Sequence, residues 1–229
     1  MQIKIYWRLS NLIKIDMHNH TAASPDAITK PEEIIKKAKE KGIDALAITD
    51  HNTTKALKQC REIGKKENIY VIQGQEITTK DGDLIALFIL EEIKPYMSFD
   101  ETLDEIKSQG AIAYVPHPFD LTRHGIGNEE FIKKCHVIEV YNAKSNDHFD
   151  KKAVEFSKNF NMLKGAGSDS HAPNEVGRAY VKVEEEAINT PEKFLMALRN
   201  AEPVIEKRTG LIEKLIRKAF IKLNKEKKE

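Results

Sequence analysis

The sequence predicts an α/β domain, and two observations carry that reading. Short apolar, β-branched runs alternate with longer amphipathic segments, the pattern of strands joined by crossover helices. Side chains able to ligate metals recur just past the ends of those runs, where the loops of a parallel α/β barrel build a site. Strands are expected over residues 12–17, 45–49, 70–73, 84–90, 111–115, 137–141, 162–166 and 180–183. The first intervening helix is signalled by Thr29-Lys30-Pro31-Glu32-Glu33, which offers a capping hydroxyl, an early proline and first-turn acids. Ile34, Ile35 and Ala38 supply its apolar face and Gly42 its stop. Further helices are expected over 54–66, 99–109, 146–160 and 191–199, each bounded by small or polar residues. Between Glu76 and Leu84, Lys80-Asp81-Gly82 reads as a hairpin turn.

A chain of 229 residues that is 40% hydrophobic, with only 11 Gly and 8 Pro, suits a soluble globular domain with one sizeable core. We assign residues 1–205 to that domain and 206–229 to a basic tail. The formal charge of +1 gives no overall pull toward nucleic acid or membrane. Cys60 and Cys135 lie far apart, in neither a redox pair nor a zinc-finger spacing, which fits a reducing cytoplasm. No run approaches the roughly 18 apolar residues of a membrane span, and residues 1–15 scatter Lys and Arg through any secretory-type core. A cytoplasmic protein without a transmembrane segment is therefore expected.

Six separated segments offer metal-ligating side chains: His18-Asn19-His20, Asp26, Asp50-His51, Glu76, His117 and Asp169-Ser170-His171. Imidazole and carboxylate in that mixture suit zinc, manganese or iron, and the set is too large for one ion. It points to a multinuclear hydrolytic centre. Residues two apart on an extended strand face the same way, so His18 and His20 can address one ion; alone, the pair also reads as an ordinary hydrogen-bonded surface pair. Asp50 equally suits a helix cap, which makes His51 the ligand and Asp50 the partner that holds its tautomer. Glu76 follows a buried-looking strand, and a carboxylate can bridge two ions; a solvated turn acid is the alternative. Pro116 and Pro118 stiffen the loop around His117 so that it aims one side chain. Small residues in Gly165-Ala166-Gly167 let backbone approach a crowded centre just before Asp169 and His171. His136 and His148 read as structural. The coincidence of six segments at corresponding places on one scaffold outweighs the separate alternatives.

In order along the chain, Asp16-Met17-His18-Asn19-His20-Thr21, Thr49-Asp50-His51, Gly74-Gln75-Glu76, His117-Pro118 and Ser168-Asp169-Ser170-His171 closely resemble the polymerase and histidinol phosphatase (PHP) superfamily, over roughly residues 14–185. The likeness is to its short, free-standing phosphoesterases. The resemblance implies a distorted seven-stranded, TIM-like β/α barrel, followed here by a C-terminal amphipathic helix, and two or three divalent ions (Mn, Fe or Zn). By that resemblance His18, His20, Glu76 and Asp169 would hold a first ion. Glu76 would bridge to a second, also held by His117, and Asp26, His51 and His171 would hold a third. Many relatives carry a histidine where Gly82-Asp83-Leu84-Ile85-Ala86-Leu87 has Asp83. A carboxylate there is harder and more negative than imidazole, so Asp83 as a ligand would favour manganese or iron over zinc.

Dications held close together acidify a water, orient it in line with phosphorus and neutralise charge on the ester oxygens. A metal-bound hydroxide is thus the expected nucleophile, with no protein nucleophile. Arg123, His124 and Arg178 are the residues expected to hold the phosphate, guanidinium giving a two-pronged match to its oxygens; the competing reading is a solvated surface role. The expected substrate is a phosphomonoester, a nucleotide or an oligonucleotide. The alternative is a non-catalytic metal-binding module that binds RNA or a protein partner.

In the tail, Leu211, Ile212, Leu215, Ile216, Ala219, Phe220 and Leu223 follow helical spacing, with Lys214, Arg217, Lys218 and Lys222 on the remaining face. Docking of that stripe on the barrel or on a second copy is the expectation. Contact with a membrane surface or nucleic acid, helped by the basic run 225–228, is the alternative.

Overall fold

A computed structural model describes residues 12–184, 188–210 and, in the C-terminal segment, 212, 213, 215, 219 and 221. All eight expected strands are present: β1 (Leu12–Asp16), β2 (Ala45–Ile48), β3 (Tyr70–Thr79), β4 (Gly82–Leu87), β5 (Ile112–Val115), β6 (Val137–Asn142), β7 (Leu163–Gly167) and β8 (Ala179–Glu184). A ninth, β9 (Glu202–Ile205), went unanticipated because Pro203 sits within a run of only four residues. The helices are α1 (Pro31–Glu40), α2 (Leu57–Glu67), α3 (Phe99–Ser108), the short and unanticipated α4 (Glu129–Lys133), α5 (Asp147–Asn159) and α6 (Pro191–Leu198).

The strands form one sheet in the order β7-β6-β5-β4-β3-β2-β1-β8-β9. Its β7 end comes round to the chain just past β1, where Met17 N donates to Ala166 O at 3.2 Å and Asp169 N to His18 O at 2.7 Å. Strands β1 to β7 thus close into the expected distorted barrel, and the antiparallel pair β8–β9 adds two strands to the seven. The distortion has a local cause. The turn at Lys80-Asp81-Gly82 is too tight for a crossover, so β4 runs antiparallel between β3 and β5. Gly82 takes φ +133°, which a side chain would strain.

Helix starts follow local chemistry. Ser98 and Glu101 form a capping box on α3, and Asn146 accepts from His148 N and Phe149 N to start α5. On α1 the expected Thr29 cap does not form. Pro31 opens the helix, Lys30 takes the cap position, and the Glu33 carboxylate accepts from Lys30 N at 3.1 Å.

Two apolar layers hold the fold. Leu46, Ile48, Val71, Ile34 and Phe99 belong to the layer that includes the outer helices, whereas Ile15, Met17, Ile72, Leu87 and Tyr114 pack in the other, inside the barrel. Alternation along β2 (Ala45 and Ala47 inward, Leu46 and Ile48 outward) is the period of two expected of a strand covered on both faces. Phe194 and Leu198 of α6 join the inner layer, where Phe194 meets Phe88 with ring centroids 5.3 Å apart. Phe88 follows the end of the reversed strand β4, so α6 plugs the barrel at the end opposite the carboxyl ends of the parallel strands. That leaves one mouth for polar chemistry. Among the described residues no helix is long and apolar enough to cross a membrane. Most of the expected tail helix lies outside the described residues; Ile212, Glu213, Leu215, Ala219 and Ile221 are helical, and Ile212 and Leu215 are exposed.

Candidate metal centre

The open mouth gathers all eight predicted donors: His18, His20, Asp26, His51, Glu76, His117, Asp169 and His171. Three groups have donor atoms within ion-sharing reach: His18, His20 and Asp169; His18, Glu76 and His117; and His20, His51 and His171. Glu76 stands at the middle. Its Oε2 lies 3.2 Å from Nε2 of both His18 and His20 and 3.3 Å from His51 Nδ1, while its Oε1 lies 3.1 Å from His117 Nε2. One carboxylate therefore faces two donor groups, as a bridge requires. Asp26 Oδ2 is 2.8 Å from His171 Nε2 and 3.8 Å from His51 Nε2.

These residues fit divalent ions. With metal–nitrogen bonds of about 2.0–2.1 Å, two ligands on one ion sit roughly 3–3.4 Å apart. The His18 Nε2 to His20 Nε2 separation is 3.1 Å. Two of the imidazoles also have their other nitrogen tied: His18 Nδ1 to Glu139 Oε1 at 3.2 Å and His20 Nδ1 to Ser24 Oγ at 3.3 Å. With Nδ1 donating, Nε2 keeps its lone pair for the centre. Buried Asp26 Oδ1, Asp83 Oδ1 and His117 Nδ1 have no hydrogen-bond partner, a cost a coordinated centre offsets.

Electrostatics point the same way. Burial works against a charged His18, yet Asp169, Glu76 and Glu139 hold its pKa well above the ordinary value. Burial, then His171 and His51, pushes His20 well below its own, keeping it neutral. Burial would raise Glu76, but His51 and His18 hold it well below the carboxylate range; Asp169 is likewise held low, against burial, by Arg123 and Lys144. The central carboxylates are thus kept ionised, the form that binds cations.

Backbone strain sits at the ligands. His117 has φ +29° and Asp169 φ +50°, each costing on the order of 1–3 kcal/mol that the surrounding structure must offset. The small residues before Asp169 are required sterically: a Cβ on Gly167 would lie 2.3 Å from His18 Cβ, and one on Gly165 2.6 Å from a ring carbon of Tyr114.

The remaining predicted residues divide. Asp83 is buried beside the centre, its carboxyl pushed up to about 7 by burial and then by Glu76. Asp50 does not touch the His51 ring. It accepts from Thr21 N (2.6 Å), Thr21 Oγ1 (2.7 Å) and Ser24 Oγ (3.1 Å), so it fixes the loop after β1. Arg123 reaches the centre, with one amino group on Asp169 Oδ2 and the other 3.1 Å from Asn142 Oδ1. His124 is exposed in the same loop and contributes its carbonyl, which accepts from Asp83 N at 2.7 Å. Arg178 is engaged elsewhere: its buried guanidinium forks onto Glu213 at 2.8 and 2.8 Å and donates to Thr209 Oγ1 at 3.1 Å.

Sequence reasoning missed four residues around the donors. Glu139 accepts from His18 Nδ1, Tyr114 Oη (2.8 Å), His117 N (2.7 Å) and Asn142 Nδ2 (2.8 Å). Buried Lys144 places Nζ 3.1 Å from Asp169 Oδ1 and against His171 Nδ1. The only available signal was Glu139 in a β-branched run, an acid inside an otherwise apolar strand.

A barrel whose mouth collects imidazoles and carboxylates in overlapping three-donor groups has the donor set of a divalent-metal-binding protein. The chain belongs to the PHP family: the PHP domain matches residues 16–167 and a PHP-associated segment matches 148–203. An uncharacterised protein of Methanocaldococcus jannaschii is 34% identical over 188 residues, covering 79% of this chain and 74% of that one. A phosphoribosyl 1,2-cyclic phosphate 1,2-diphosphodiesterase of Eggerthella lenta is 33% identical over 66 residues, 29% of this chain and 25% of that one. Among solved structures, a two-domain protein of Bacteroides vulgatus containing a predicted PHP-like metal-dependent phosphoesterase superposes with TM-score 0.71 at 23% identity. The match covers 85% of this chain but 65% of that protein's length.

Proposed function

We propose that this protein is a metal-dependent phosphoesterase that hydrolyses a small phosphomonoester, a nucleotide or the end of an oligonucleotide. The observation that carries the reading is the Glu76 carboxylate, which faces His18, His20 and His51 with one oxygen and His117 with the other. Family membership and the diesterase named among the relatives support phosphate-ester hydrolysis in general.

His18, His20, Glu76 and Asp169 would hold one ion, Glu76 and His117 with Asp83 a second, and Asp26, His51 and His171 a third. Bound divalent ions, Mn, Fe or Zn, supply Lewis acidity toward the ester oxygens and toward an attacking water. The chain supplies position and charge. Arg123 and Lys144 flank Asp169 and place two cations, a planar guanidinium and a compact ammonium, where phosphate oxygens would meet them. Ser24 and Ser168 donate to Asp50 and Asp16, and Ser170 donates to Asn19 Oδ1, so these hydroxyls tie the loops of the mouth together. Water is the attacking group of this reading.

The test is a panel of phosphomonoesters, nucleoside bisphosphates and short oligonucleotides, assayed with Mn, Fe and Zn beside His18→Ala. Turnover of at least one class by the wild type, lost in the variant, is expected. Inactivity across the whole panel contradicts the reading and favours the non-catalytic binding module.

A further inference from the structure

The segment that follows β9 grips the loop that brings Asn142 and Lys144 to the metal centre. Thr209 is buried and its N donates to Ala143 O at 2.7 Å. The Arg208 guanidinium donates to Ser145 O at 2.7 Å and Asn142 O at 3.2 Å, and reaches Asp150 Oδ2 at 2.8 Å in the first turn of α5. One side chain thus holds both ends of residues 142–146 and the helix that follows. The grip is anchored in turn. Glu206 N donates to Arg178 O at 2.7 Å, and the Arg178 guanidinium forks onto Glu213 and reaches Thr209 Oγ1. On its inner side the gripped loop sends Asn142 Nδ2 to Asp169 Oδ2 (3.1 Å) and Lys144 Nζ to Asp169 Oδ1 (3.1 Å). On its outer side Arg208 lines a cavity of about 430 Å³ with Tyr141, Asp147 and Asp150.

We propose that residues 206–210, with Glu213, are a clasp and that Arg208 is a positioning residue, setting Lys144 and Asn142 where they receive the phosphate. This rests on the phosphoesterase reading. It assigns the start of the C-terminal segment a part in the site and gives Arg178 an anchoring duty in place of phosphate contact. Among the described residues the clasp touches no metal donor directly, so its loss is felt in phosphate binding and not in metal content.

The test uses the full chain reconstituted with metal, as wild type, Arg208→Gln, Arg208→Lys, Lys144→Met and Lys144→Met with Arg208→Gln. Inorganic phosphate affinity is measured by calorimetry, metal content by elemental analysis, and amide exchange across residues 142–146 without phosphate. Expected are unchanged metal content, faster exchange in Arg208→Gln, and phosphate affinity lowered on the order of 10–100-fold, the range for removing a group that orients a ligand. Arg208→Lys keeps the charge and loses the fork, so it recovers only part of the affinity. In the Lys144→Met background, Arg208→Gln adds little, because its effect runs through Lys144. Unchanged exchange in Arg208→Gln, or full independent losses in the double variant, overturns the proposal. A wild type that neither binds phosphate nor turns over any ester overturns the phosphoesterase reading and this inference with it. An active wild type indifferent to Arg208 overturns the inference alone.

Discussion

On one side of the barrel mouth, seven of the eight donors follow the carboxyl ends of β1, β2, β5 and β7, and Glu76 comes from within β3. On the other, Arg123, Asn142 and Lys144 close on Asp169 from the loops after β5 and β6, and the second of these loops is held from outside by Arg208. The donor side is stiff. His18 and Asp169 sit where the sheet closes, joined backbone to backbone at 2.7 Å, with glycine at 167 because no side chain fits. The cationic side depends on contacts remote in sequence. A binding centre of this kind separates the task of fixing ions from the task of receiving the anion, and the two sides should respond differently to substitution.

The largest effect is expected on the donor side. His18→Ala or Asp169→Ala should empty the first ion group and lower turnover by about 10³-fold or more, the several kcal/mol that lost Lewis acidity represents. Elemental analysis and steady-state rates check this, with circular dichroism showing the fold retained. Activity that survives in both variants would remove the distinction between the sides. Next come Arg123→Ala and Lys144→Met, each expected to lower kcat/KM by about 10²-fold while metal content stays at the wild-type level. Arg123→Lys should not restore the rate, since an ammonium cannot fork. Metal loss in these variants would show that the two sides are one unit.

The donor side was legible in the sequence because ligation needs particular residue types at strand ends. His18-Asn19-His20 and Asp169-Ser170-His171 each place two ligands two residues apart, and a strand's period of two brings them to one face. The strands and most helices were legible for the same reason, their periodicity being local. Lys144 carried no such mark: in Tyr141-Asn142-Ala143-Lys144-Ser145 a lysine before a helix cap reads as solvated surface, and only the closure of β6 against β7 buries it. Arg178 shows the reverse. Its place after Val176-Gly177, close to the Asp169 segment, suggested phosphate, whereas its partner Glu213 lies 35 residues away in a segment the strand pattern does not place. The reversal of β4 was half legible, since a hairpin turn was evident but its consequence for the barrel was not.

Smaller effects sharpen the comparison. Glu139 touches both sides, accepting from His18 Nδ1 and from Asn142 Nδ2. Glu139→Gln can still accept but presents less negative charge to His18, so metal affinity should fall about 10–100-fold, read by competition with a chelator. An unchanged affinity would detach Glu139 from the metal side. The smallest effect belongs to the thiols. Burial pushes Cys60 and Cys135 each up to about 12, so almost no thiolate exists at neutral pH in the folded protein. A disulfide reagent should therefore label neither until denaturant is added, whether or not metal is bound. Rapid labelling of the native protein would show that the outer layer opens independently of the site.

The central claim is that His18, His20, Glu76, His117, Asp169 and their neighbours form one polynuclear metal centre. Its most direct test is elemental analysis of the full chain reconstituted with Mn, Fe or Zn and freed of loose ions, beside His18→Ala. The account predicts roughly two or three equivalents per chain in the wild type and a clear deficit in the variant. Less than about one equivalent in the wild type, or equal content in both proteins, would contradict it.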